Sequence, residues 1–174
     1  MLMSEKIDFK MLIHESRPRV YLLWAVLTGI GYTATHFYQN PNINLVWLVI
    51  SATGLGYMYK VMPLKVVQMR KIFLAWLVPI SFGLIVSVVA VRTDLIPGLV
   101  GYMGAFWLLI SAVGYSWNGL VDPPSRWYFI ASCTNVVAAG LCYFVVELAE
   151  VQYLIAAVVS VWSMGNLWIF RSDV

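Results

Sequence analysis

The chain has 174 residues, of which 61% are hydrophobic and 11% charged, and its mean hydropathy is +0.82. Soluble domains carry about 25% charged residues, so this composition excludes a soluble globular protein and points to an all-α polytopic integral membrane protein. The net charge of +3 fits contact with anionic lipid rather than a nucleic-acid partner.

Residues 1–18 form a first unit. Ile7, Phe9, Leu12 and Ile13 are interleaved with Lys6, Asp8, Lys10 and Glu15, a pattern that predicts an amphipathic helix lying in the cytoplasmic interface and stopping near Pro18. The segment has no long apolar core followed by an A-x-A site, so no removable signal peptide is expected.

Residues 19–174 form the transmembrane domain. A hydrocarbon core of about 30 Å needs about 20 apolar residues per helical crossing, and six such runs are present, at 20–38, 44–62, 72–91, 97–117, 127–146 and 151–170. Tyr21, Trp24, Tyr38, Trp47, Tyr57, Tyr59, Trp117, Trp127, Tyr128, Tyr153 and Trp168 fall near the ends of the runs, where aromatic rings anchor helices at the headgroup level. Ten of the eleven Lys and Arg lie in the N-terminal segment, the second and fourth connections and the C-terminus, and Arg92 alone lies on the other side. The positive-inside rule then places both termini in the cytoplasm, and the plasma membrane is the expected location.

The first run carries Thr28, Tyr32 and Thr35 along one helical face, with Gly31 between them and His36 near its outer end. His36 is expected to be interfacial, with a pH-sensing gate as the minority role. The second contains Trp47-Leu-Val-Ile-Ser51-Ala-Thr-Gly54, which returns sixty residues later in the fourth as Trp107-Leu-Leu-Ile-Ser111-Ala-Val-Gly114. At the same offset Pro63 superposes on Pro123. The first and third runs also align: Arg19, Trp24 and Gly31 fall on Lys71, Trp76 and Gly83. The fifth opens similarly with Arg126-Trp127-Tyr128, and the sixth supplies Ser160 and Gly165. The six helices are therefore expected to form three hairpins related by an internal repeat, each starting and ending on the cytoplasmic side.

The small residues of the repeat, Gly31, Gly54, Gly83, Ser87 and Gly114 with Pro79, are read as helix-packing positions, because helices in lipid associate by close approach and hydrogen bonding. Neutral polar side chains remain inside the spans. Thr28, Tyr32, Ser51, Ser111, Asn135, Ser160 and Asn166 either line a solute path or hydrogen-bond between helices; for Asn135 interhelical bonding is the favoured role.

The chemistry that is missing is also informative. All eight acids lie in tails, connections or span ends, and no Lys sits mid-span, so the interior lacks the groups that coupled transporters and membrane enzymes use. His14 and His36 are too few for a bis-imidazole haem or a metal centre. Cys133 and Cys142 share one helix about 13.5 Å apart along its axis, beyond disulfide reach. Ser116 has no base to activate it. No catalytic residue, metal or cofactor is expected.

Two functions remain. The first is a passive channel or facilitator for a small neutral or weakly polar solute. The second is a non-catalytic membrane scaffold or accessory subunit that binds a partner protein, a lipid or a second copy of itself. An enzyme ranks behind both.

Overall fold

A computed structural model describes residues 9–38, 42–93, 95–96, 98–121 and 126–169, with backbone alone for 9–17. Residues 1–8 of the expected amphipathic segment, Pro97, Pro123 and the C-terminal Arg171 lie outside them. The described chain is helical, without a strand: α1 (Phe9–Phe37), α2 (Ile43–Val61), α3 (Val67–Arg92), α4 (Met103–Val121), α5 (Arg126–Phe144), α6 (Val146–Glu150) and α7 (Gln152–Ile169). A short 3-10 turn, Leu99–Tyr102, leads into α4, and Gly98 before it takes a left-handed φ of 83°.

Four helices are long and apolar enough to cross a membrane: α3, α4 with its 3-10 turn, α5 and α7. The shortest, α7, has 18 residues, a length of about 27 Å at 1.5 Å per residue. Helices α1 and α2, with 29 and 19 residues, are long enough but more dilute. Thr28, Tyr32, Thr33, Thr35 and His36 interrupt the first, and Ser51, Thr53, Tyr57, Tyr59 and Lys60 the second.

Proline acts differently at its different positions. Met62, the residue before Pro63, is extended with φ −90° and ψ 130°, and α2 ends there, as the steric demand of the following ring requires. Pro79 lies inside α3 and leaves the Ala75 carbonyl without its helical donor, yet the helix continues to Arg92;. Pro18 likewise lies inside α1, which runs unbroken from Phe9 to Phe37. The expected stop at Pro18 is therefore not seen: a lone proline removes one hydrogen bond, and the apolar run beyond it sustains the helix.

Each long helix packs on its neighbour in the chain, and α7 returns to α1, closing a ring. The α1–α7 and α4–α5 interfaces are the most extensive, and α4 also meets α7. That last contact displaces α5 from the ring's axis.

Two aromatic–glycine contacts fasten α1 to α2. The Trp24 indole covers Gly54, and Trp47 with Ile50 covers Gly31. The same pair of contacts joins α3 to α4, with Trp76 on Gly114, and Trp107 with Ile110 on Gly83. At each of these four glycines an added Cβ would meet a ring or side-chain atom closer than 3.0 Å, so glycine is what allows the indole in. The expectation that Trp24 and Trp47 are interfacial anchors is corrected by this packing, since both are buried, as are Tyr21 and Tyr128. Tyr38, Tyr59 and Trp168 are exposed, as anchors are.

Candidate functional site

The ring of helices encloses a small cavity of about 40 Å³, lined from α1, α2, α3, α4 and α7. Four indoles form its walls: Trp24, Trp47, Trp76 and Trp107. Between them Thr28, Tyr32, Ser51, Ser111, Tyr115 and Ser160 bring hydroxyls to the lining, beside the apolar Ile80, Ile110 and Met164. A water needs about 10–15 Å³ of such volume together with polar partners, so the space suits one to a few water-sized molecules.

The hydrogen bonds show how the polar groups of this largely apolar lining are engaged. The Trp47 indole N–H donates to Thr35 Oγ1 at 2.9 Å, and the Trp24 N–H to Met58 Sδ at 3.2 Å. Both donors are thus turned away. Thr28 and Ser111 donate to their own helices, to the carbonyls of Trp24 and Trp107, which leaves their oxygens as acceptors. Tyr32, Ser111 and Ser160 line the same space. Tyr115 lines it as well. Both phenols are all but fully buried, at 2% and 1% exposure.

Beyond the indoles at one end is a wider vestibule of about 580 Å³, lined by Thr35, Asn44, Trp47, Trp107, Glu150, Gln152 and Tyr153 among others. Trp47 and Trp107 border both spaces. Their rings stack with centroids 5.8 Å apart and planes 14° apart, and so form the partition between vestibule and cavity. Gln152 holds the vestibule wall together: its Oε1 accepts from Gly104 and Ala105 N–H at 2.8 and 3.2 Å, and its Nε2 donates to the Gly101 carbonyl at 2.6 Å. It caps α4 from the start of α7, satisfying N–H groups that a helix N-terminus leaves open.

The opposite end of the axis is closed by packed apolar side chains, among them Val20, Met58, Met62, Met69, Ile72 and Leu167. Tyr21 and Tyr128 hydrogen-bond there, joining α1 to α5. The two ends differ in charge. Arg19, Lys60, Lys65, Arg70, Lys71 and Arg126 lie toward this closed end, and Glu147 and Glu150 with Arg92 lie toward the vestibule.

Thr28, Tyr32, Ser51, Ser111 and Ser160, nominated from sequence, thus meet at one cavity. Asn135 does not, because α5 is off the axis. Its Nδ2 donates to the Ala131 carbonyl at 2.8 Å and to Ser163 Oγ at 3.2 Å, which ties α5 to α7. Asn166 donates to the Trp162 carbonyl of its own helix. His36 packs edge-on against Phe37, and its Nδ1 is buried without a partner among the described residues. Gly31, Gly54, Gly83 and Gly114 are the glycines under the indoles, and Pro79 and Ser87 are buried in α3, with Ser87 donating to Met103 Sδ at 3.3 Å.

The indoles, Tyr115 and Gln152 were not foreseen as site residues. The signal for the indoles was present: each Trp recurs in register with a Gly on the partner helix. Among the described residues no group of three or more His, Cys, Asp or Glu converges that would hold a metal. Cys133 and Cys142 are both free thiols.

Neither the protein-family models, nor the curated proteins, nor the solved structures contain a match to this chain. The functional reading therefore rests on the residues themselves.

Proposed function

We propose that this is a six-span membrane protein whose ring of helices encloses an axial path for a small neutral, hydrogen-bonding solute. The observation that carries the reading is the small internal cavity, at which four of the five lining helices present hydroxyls and none presents an ionised group. A burial of hydroxyls around open space costs free energy unless something hydrogen-bonds to them, and a neutral solute or water does so without a charged partner.

Six spans are favoured over four by the outer surfaces. Leu22, Val26 and Ile30 on α1, and Leu45, Leu48 and Val49 on α2, are exposed and need lipid as much as the outer faces of α3 and α5 do. The charge difference between the ends supports placing the closed end in the cytoplasm and the vestibule outside, in the plasma membrane. An internal repeat is supported by the recurrence of the indole–glycine contacts: Trp24 on Gly54 and Trp76 on Gly114, then Trp47 on Gly31 and Trp107 on Gly83. In the third hairpin Ala131 and Ser163 occupy the corresponding places, and Asn135 takes over the contact by hydrogen bonding to Ser163.

The scaffold reading is favoured by one feature. An apolar groove of about 700 Å³ runs along the outside of α4 and α5, lined by Tyr102, Phe106, Leu109, Val136, Gly140 and Tyr143, and it fits a lipid chain or an apolar helix of a partner.

The two are separated by flux. Liposomes containing the purified chain are expected to equilibrate water, ammonia or glycerol faster than empty ones, and Ser111→Trp, which fills the cavity, should abolish the difference. Equal rates in loaded and empty liposomes across these solutes and urea would leave the scaffold reading in front.

A further inference from the structure

The vestibule has the size and lining of a ligand pocket in its own right. Its volume of about 580 Å³ falls in the range of about 300–1,000 Å³ typical of small-molecule sites, which are mostly apolar with a few placed polar groups. Ile43, Val91, Val100, Met103 and Val146 supply apolar surface, and Trp47 and Trp107 close the inner end. The cavity of about 40 Å³ beyond them is water-sized;, so a molecule that fills the vestibule stops at the indoles.

The polar groups of the vestibule are not equivalent. Thr35 and Gln152 are committed to the protein: the Thr35 hydroxyl donates to the Gly31 carbonyl and accepts from the Trp47 indole, and both ends of the Gln152 amide hold the backbone around the start of α4. Glu150 is different. Among the described lining residues it alone is ionised, with no Lys, Arg or His beside it. Arg92, the base at this end, follows the lining residue Val91 but is not itself part of the wall, and the described residues give Glu150 no ion-pair partner.

Exposure sets the depth of these groups. Glu150 is exposed, whereas Trp47 and Trp107 are 7% and 6% exposed. The vestibule is thus graded from a carboxylate open to water at its mouth to apolar surface at its base. A metal ion is a poor complement to one carboxylate in an apolar wall, since it takes several oxygen ligands, and the carboxylate repels an anion. An ammonium group on an apolar body matches both ends. The charge stays at the mouth, where Glu150 neutralises it while water still hydrates it, and the body leaves water for the indoles and the aliphatic side chains.

We propose that the vestibule binds a small organic ammonium compound, with Glu150 as its counter-ion and Trp47 and Trp107 as the floor under its apolar part. The site stands whether or not the axis conducts, because binding requires no passage beyond the indoles. An ammonium group reaches this end from two sources, a free amine or a lipid headgroup, and the choice of lipid separates them.

The test places the full chain in nanodiscs of phosphatidylglycerol, whose headgroup has no ammonium, and titrates it calorimetrically at neutral pH with protonated benzylamine, benzyl alcohol and benzoate, three probes of similar shape and different charge. Saturable binding of the amine is expected, about fivefold tighter than that of the alcohol, the upper end of what a solvent-exposed ion pair contributes, with benzoate weakest. Glu150→Gln should lower the amine to the affinity of the alcohol and leave the alcohol unchanged. Glu147→Gln, on the same short helix but outside the wall, should change neither. Ala149→Trp, at a lining position, should fill the vestibule and abolish saturable binding at an unchanged melting temperature. If it melts early, Val146→Trp, at a lining position 74% exposed, replaces it. Weaker binding of the amine in phosphatidylcholine nanodiscs identifies the lipid headgroup as the occupant, and unchanged binding there identifies a free amine.

Equal affinity for amine and alcohol in the parent overturns the ammonium assignment. An amine affinity that survives Glu150→Gln, or falls equally in Glu147→Gln, overturns Glu150 as the counter-ion. Saturable binding of none of the three probes, or binding that persists in the filled vestibule, overturns the site.

Discussion

Gly54 and Gly114 matter for what they lack. Each lies beneath an indole, Trp24 and Trp76 respectively, at a distance that leaves no room for a methyl group. Gly54→Val and Gly114→Val should each lower stability by about 1–3 kcal/mol, the cost of overpacking, whereas Gly56→Val, with open space around it, should not. Thermal unfolding in detergent compares the three. Asn135→Leu removes the bond to Ser163 and should cost about 0.6–2 kcal/mol, while solute flux persists because Asn135 does not line the cavity; lost flux at unchanged stability would place it in the path. At this scale the sequence reveals which polar residues lie inside, since Thr28, Tyr32, Ser51, Ser111 and Ser160 share the faces that meet. It conceals the role of tryptophan, whose amphipathic ring suits an interface and an interior equally, until the glycine on the opposing helix is considered.

The helices themselves are legible wherever their ends are set locally. α2 ends before Pro63 because Met62 must be extended;, and each apolar run carries a helix along most of its length. The start of α4 is different. Its N–H groups are satisfied by Gln152, 48 residues later in the chain, a cap that no local pattern can announce. Gln152→Leu strips partners from Gly104, Ala105 and Gly101 together and should destabilise the protein by about 1–3 kcal/mol through unsatisfied backbone groups. Gln152→Glu keeps the acceptor and loses the donor to Gly101, so its melting temperature should fall between those of Gln152→Leu and the parent. α6 was also invisible in advance, because five residues between two apolar runs carry too short a pattern to be read as a helix.

For the molecule as a whole, the charge distribution and the packing make one statement: a ring of antiparallel helices with a basic closed end and a vestibule lined in part by Glu150, with Glu147 toward the same end. Single cysteines at Val66 and at Asn42, in a Cys133→Ala and Cys142→Ala background, should label with an impermeant thiol reagent from opposite sides of the membrane; labelling of both from one side would break the six-span arrangement. The order of helices around the ring was only partly legible, since a repeat in sequence pairs each helix with its hairpin partner but does not say that α4 touches α7 and so pushes α5 off the axis. The proposed function requires that the axis of this ring be reachable from water. Ser111 faces the cavity in its middle, and Ser111→Cys in the same background measures that access through its reaction with a small water-soluble methanethiosulfonate. The account predicts modification at a rate well above that of a lipid-facing control, Val113→Cys, accompanied by loss of solute flux. An unreactive thiol at position 111, beside a readily labelled one at Val66, would mean that the axis is packed shut and that the hydroxyls around it serve only to hold the helices together.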